Sequence, residues 1–82
     1  MLRYIGGNMK NRVKEYRLNL GLTQQELAEL VNVSSRTIIS LEKEQYSPSL
    51  MLAYKLSLVF ETIVEDLYRL KENYREELKN EK

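Results

Sequence analysis

The chain contains no cysteine and no histidine, and only three glycines and one proline. Without cysteine there is no disulfide and no thiolate nucleophile, which fits a reducing compartment. Without histidine the commonest general base is missing, and a zinc site would have to be built from carboxylates alone. No apolar run approaches the ~18 residues of a spanning helix. The first eight residues, MLRYIGGN, lack the apolar stretch of a signal peptide. There is no glycine-rich phosphate loop. The acidic pair Glu65-Asp66 falls at a predicted helix start, where carboxylates favour the helix dipole. These absences point to the cytoplasm. They leave no expected catalytic residue, metal ligand, cofactor or small-molecule ligand, and so no enzyme.

What is present suits one small domain. The 82 residues allow a core that stabilises by only a few kcal/mol, roughly 3–5. Thirteen basic and twelve acidic side chains give a net charge of +1. Residues 1–46 carry seven basic and five acidic groups, and residues 47–82 carry six and seven. A polyanionic partner would therefore be held by a local patch, not by bulk charge.

Aliphatic residues recur at three and four, not at two, which predicts an all-α fold. Residues 1–8 read as an arm loosened by Gly6-Gly7, and Met9 is a second candidate start. The first helix is expected over about Lys10 to Leu20, with Val13, Arg17 and Leu20 on one face and Gly21 closing it. Thr23 and Glu26 form a capping box for the second helix, with Leu22 and Leu27 as its staple. Ser34 caps the third helix, with Val33 and Ile38 as the staple, and Asn32 makes the sharp corner between the two. Pro48 fits the first turn of a fourth helix capped by Ser47, with Leu50, Leu52, Ala53, Leu56, Val59 and Phe60 inward. Glu61-Thr62 turns the chain into a fifth helix burying Ile63, Val64 and Leu67. The charged tail, 69–82, continues that helix, with Glu72–Arg75 and Glu76–Lys79 as three-apart pairs.

Residues 9–68 resemble the Cro/C1-type helix-turn-helix family, also called Xre or lambda-repressor-like. They most resemble its compact bacterial regulators. The residues that carry this are Arg17, Gly21-Leu22-Thr23-Gln24, Glu26-Leu27-Ala28, Val33-Ser34, Thr37-Ile38, Glu42, Pro48-Ser49-Leu50, Ala53 and Glu65-Asp66-Leu67. The resemblance implies a five-helix DNA-binding domain, here with a helical C-terminal extension. Its helix-turn-helix, residues 23–43, would lay the third helix in the major groove of double-stranded DNA. Two positions depart from the family pattern. Asn32 stands for the usual glycine in the turn, and Lys43-Glu44 stands for the usual Asn-Gly after the third helix. Glu44 would sit near the DNA backbone, where its charge repels phosphate.

With Ile38 and Leu41 inward, Ser35, Arg36, Ile39, Ser40 and Lys43 face out. Arg36 can pair both acceptors of a guanine, or else contact a phosphate or stay solvated; Ser35 and Ser40 can bond base edges or phosphates; and Ile39 can touch a thymine methyl or be partly buried. Thr37 lies between faces. Gln24, Ser34, Lys43, Tyr46 and Ser47 are phosphate candidates, which set register without reading sequence. The resemblance also implies a structural ion pair between Arg17 and Glu42, and a brace from Gln24 to the recognition helix. The leading expectation is a sequence-specific transcriptional regulator, with repression as its mode. It would bind a two-fold-related operator as a homodimer, because one small domain makes too few contacts for tight specific binding. The expected dimer surface is Phe60, Ile63, Leu67, Leu70 and Tyr74, which otherwise read as core. The alternative is a protein-interaction module on this scaffold, such as an antitoxin or repressor partner, in which DNA binding is secondary.

Overall fold

Helix start and stop signals account for most of the architecture. The computed structural model describes residues 9–80. They form α1 (Val13–Asn19), α2 (Gln24–Leu30), α3 (Ser35–Glu42), α4 (Leu50–Phe60), α5 (Val64–Leu67) and α6 (Leu70–Asn80), with no strand among them. The fold is all-α, as the periodicity requires. The expected arm, residues 1–8, lies outside the described residues.

Four helices close the same way. Gly21, Asn32, Glu44 and Glu61 each take a left-handed φ of 55–72° after α1, α2, α3 and α4. The following residue reaches back five positions: Leu22 N–H to Arg17, Val33 to Ala28, Gln45 to Ser40 and Thr62 to Ser57, at 2.9–3.1 Å. The left-handed residue itself donates to the carbonyl three before it, as Glu44 does to Leu41 at 2.9 Å. This double closure satisfies carbonyls that a helix end leaves orphaned. Only one of the four positions is glycine, so three non-glycine residues hold a backbone that costs about 1 kcal/mol each.

Starts differ more from expectation. α1 begins at Val13 and not at Lys10, because Asn11 Oδ1 accepts from Val13 N–H at 3.0 Å. The cap of α4 is Ser49, whose Oγ accepts from Leu52 N–H at 3.1 Å, and not Ser47. Pro48 therefore precedes the helix and does not open it. The tail does not continue α5. Arg69 turns left-handed at φ 49°, and α6 sets off as a separate helix.

The core is built from Val13, Leu27, Ala28, Val31, Ile38, Leu41, Leu52, Ala53, Leu56, Phe60, Leu67 and Tyr68. Tyr16 stacks on Phe60 with ring centroids 5.4 Å apart, which seats α1 on α4. Three residues expected inside are exposed: Leu20, Leu50 and Ile63. Leu20 follows the last turn of α1, Ile63 caps α5, and Leu50 opens α4 on its outer side. Phe60 and Leu67, read as part of a dimer stripe, are buried in the protomer; Leu70 is half-buried, and Ile63 and Tyr74 are exposed.

α6 is tied down by one side chain. Asn73 Oδ1 accepts from the Lys10 backbone N–H at 3.0 Å while its Nδ2 donates to the Lys10 carbonyl at 3.0 Å. The same Nδ2 lies within reach of the Tyr68 and Arg69 carbonyls at the break before α6. The expected three-apart pairs are replaced: Glu72 turns back to Arg69 at 2.6 Å, and Glu76 meets Lys10 at 3.6 Å.

Candidate nucleic-acid interface

α2 and α3 form a corner fixed at both helix starts. Thr23 Oγ1 accepts from Glu26 N–H at 3.0 Å, and Glu26 Oε1 accepts from Thr23 N–H at 2.8 Å. Ser34 Oγ accepts from Thr37 N–H at 3.3 Å. Asn32 makes the turn at φ 61°. Beneath the corner, Leu27, Ala28 and Val31 of α2 and its end pack with Ile38 and Leu41 of α3. The angle between the helices is thus set by apolar packing and by two capped starts, not by a flexible joint.

A second tie fixes α3 to α1. Arg17 Nε donates to Glu42 Oε2 at 2.6 Å, and Arg17 Nη2 to Glu42 Oε1 at 3.2 Å. These side chains are only 10% and 5% exposed, so the pair is held largely out of water. Arg17 Nη1 also donates to the Leu22 carbonyl at 2.8 Å, and Gln24 Nε2 donates to Glu42 Oε1 at 3.1 Å. One carboxylate thereby joins the end of α3 to α1 and to the start of α2. Asn11 adds a further grip, donating from Nδ2 to the Leu41 carbonyl at 2.9 Å.

The outer face of α3 carries Arg36 and Lys43, both exposed, with Ser35, Ile39 and Ser40 half-buried between them. Ile39 is therefore partly covered within the protomer. Among the described residues, no ion pair or hydrogen bond engages the Arg36 or Lys43 side chain. Ser34 Oγ is 3.2 Å from Thr37 Oγ1, so the cap and Thr37 share a hydroxyl contact. Tyr46 is 41% exposed in the loop after α3, and Ser47 beside it is half-buried. Glu44 is half-buried at its left-handed position.

The helix-turn-helix family matches residues 13–65, the segment that contains this corner and its supports. The chain belongs to that family. It is 50% identical over 60 residues to an uncharacterized HTH-type transcriptional regulator of Archaeoglobus fulgidus, covering 73% of this chain and 86% of that protein. A relative of the same description in Methanothermobacter thermautotrophicus is 47% identical over 66 residues, with 79% and 96% covered. The Bacillus subtilis regulator YgzD is 44% identical over 64 residues, with 78% and 97% covered. The family is one of transcriptional regulators, not of enzymes. No helix among the described residues is long and apolar enough to cross a membrane.

Three supports were missed in the sequence. Asn11 and Asn73 act through the backbone of distant segments, and nothing in their local pattern marks them. Ser49 was legible: it stands three residues before Leu52, the same spacing as Ser34 to Thr37.

Proposed function

We propose that this helix-turn-helix protein is a sequence-specific DNA-binding regulator that reads base edges with the outer face of α3, as a homodimer on a two-fold-related operator. The observation that carries this is the exposed, unpaired Arg36 near the start of a helix whose orientation is locked by the Arg17–Glu42 pair. A guanidinium held there can donate to O6 and N7 of one guanine. Ser35 and Ser40 add hydrogen bonds of low information, and the uncovered part of Ile39 meets a thymine methyl. Lys43, Tyr46, Ser34 and Ser47 hold phosphates. Gln24 keeps one amide hydrogen for a phosphate while the other braces Glu42. One module of this kind buries only about 600–1,000 Å² on DNA, so two copies are needed for tight specific binding. The proposed mode is repression, with the operator overlapping a promoter so that the bound dimer excludes the polymerase.

Selection of bound sequences from random DNA tests this directly. The expected result is a pair of half-sites related by a two-fold, about one helical turn apart. Arg36→Ala should relax the preference at one base pair per half-site. An unchanged preference rejects the base-reading role.

A second reading, a protein-interaction module with weak DNA binding, is favoured by the net charge of +1 and by the Glu44 carboxylate beside the loop. It predicts that scrambled and selected DNA bind alike.

A further inference from the structure

α4 is apolar on both sides. Its inner side, Leu52, Ala53, Leu56 and Phe60, is buried in the core. Its outer side carries Leu50 at 82%, Met51 at 61%, Tyr54 at 52% and Leu58 at 59% exposed. At 100° per residue these four span one continuous arc of about 100° along the whole helix, with Lys55 at its edge. A helix apolar all round is normally covered all round. Here the described residues supply no second covering.

We propose that this outer stripe is the surface through which two copies of the chain pair. The inference rests on the dimeric reading given above and names its surface.

Three features favour a second copy as the occupant. Leu50, Tyr54 and Leu58 lie four residues apart and so form a single ridge of the helix surface. Two such ridges interlock at a crossing angle of about −50°. The ridge is also symmetric about its own centre. A two-fold axis at Tyr54 sets Leu50 of one protomer over Leu58 of its partner and Tyr54 across from its copy, which is what a self-complementary dimer contact requires. No charged side chain interrupts the ridge, so pairing buries no charge, and Lys55 stays at the solvated edge. From their exposures, the four side chains offer about 500 Å², more than half of the roughly 800 Å² per partner that a stable interface buries. Lys55 and the polar residues around it then form the rim.

The stripe and the recognition face share no residue. The inner side of α4 and the inner side of α3 share one core through Leu52, Leu56, Ile38 and Leu41. Their outer faces leave that core on separate helices, so the stripe uses none of the residues assigned to DNA. α6 is the weaker candidate. Tyr74 and Leu78 are exposed there, but Lys71, Arg75, Glu76 and Lys79 surround them.

The absence of cysteine makes the test direct. Sedimentation of the full chain without DNA should show a dimer at micromolar concentration, and Tyr54→Glu should convert it to a monomer with unchanged helical circular dichroism. Under mild oxidation Tyr54→Cys should cross-link to itself, because opposed Cα atoms then fall within disulfide range. A mixture of Leu50→Cys and Leu58→Cys should cross-link to each other, while Leu50→Cys alone should not. A wild-type chain that stays monomeric overturns the proposal. So does a dimer that survives Tyr54→Glu, or one that Tyr74→Glu dissolves instead. Because no DNA is present, none of these results bears on base reading by Arg36.

Discussion

Asn73 pairs with both backbone groups of Lys10, sixty-three residues earlier, as one strand would pair with another. A single amide side chain thus joins α6 to the segment that leads into α1. The same amide sits over the carbonyls of Tyr68 and Arg69, where the chain breaks between α5 and α6. Asn73→Ala should strand several half-buried polar groups and cost about 2 kcal/mol. Hydrogen exchange should show α6 amides losing protection first, with α2 and α3 little affected. Uniform loss of protection across all helices would reject a local role for Asn73.

Arg17 and Glu42 should couple strongly. Removing either leaves the other charge nearly buried and unpaired, at a cost of roughly 3–5 kcal/mol. Replacing both by methionine should cost much less than the two single changes added together. Urea titration of Arg17→Met, Glu42→Met and the double variant measures this. Additive losses would show that the pair contributes little beyond its separate contacts.

Glu44 holds a left-handed backbone that glycine adopts without strain. Glu44→Gly should raise stability by up to about 1 kcal/mol. It also removes a carboxylate from beside the recognition helix, so operator affinity should rise. The converse change is Gly21→Ala. No atom lies within 4 Å of the added Cβ, so the expected loss of about 1 kcal/mol comes from φ 72° alone. Melting curves of the two variants should move in opposite directions.

The Tyr68 ring is buried at 1% exposure, and its hydroxyl finds no hydrogen-bond partner among the described residues. Burial, with Tyr46 nearby adding to it, pushes the phenol well above its ordinary pKa of 10.0. The folded state therefore favours the protonated phenol. That stability is fully present below pH 10 and is lost as pH rises further. Tyr68→Phe should leave neutral stability unchanged or raised by about 1 kcal/mol, and should flatten the loss in alkaline urea titrations. A large loss of stability in Tyr68→Phe at pH 7 would mean that the hydroxyl has a partner.

Lys43→Ala should weaken binding to all sequences alike and reduce the slope of log affinity against log salt by about 0.9. Arg36→Ala should differ by changing which sequences bind. If the two variants behave identically in both assays, Arg36 contacts phosphate and not a base.

Local chemistry made the recognition corner legible. Thr23, Glu26 and Ser34 act within three residues of themselves, and Asn32 needs only its own tolerance of positive φ. Such interactions are complete within one turn, so sequence spacing specifies them. The family resemblance supplied the Arg17–Glu42 pair, which periodicity alone leaves as two charges on inward faces. Errors fell where two residues could serve the same local purpose, as with Ser47 and Ser49. They also fell where an apolar residue could lie on either side of a helix, as with Leu50.

The amino-acid order by itself determined the helical class, the capped corner and the side of α3 that faces out, because these depend on contacts a few residues apart. Only the tertiary structure decided that α6 is a separate helix anchored at Lys10, that Asn11 reaches the Leu41 carbonyl, and that α4 keeps an apolar side the described residues leave uncovered. Those outcomes depend on which distant segment reaches a backbone group or an apolar surface first, and residue spacing does not encode that competition.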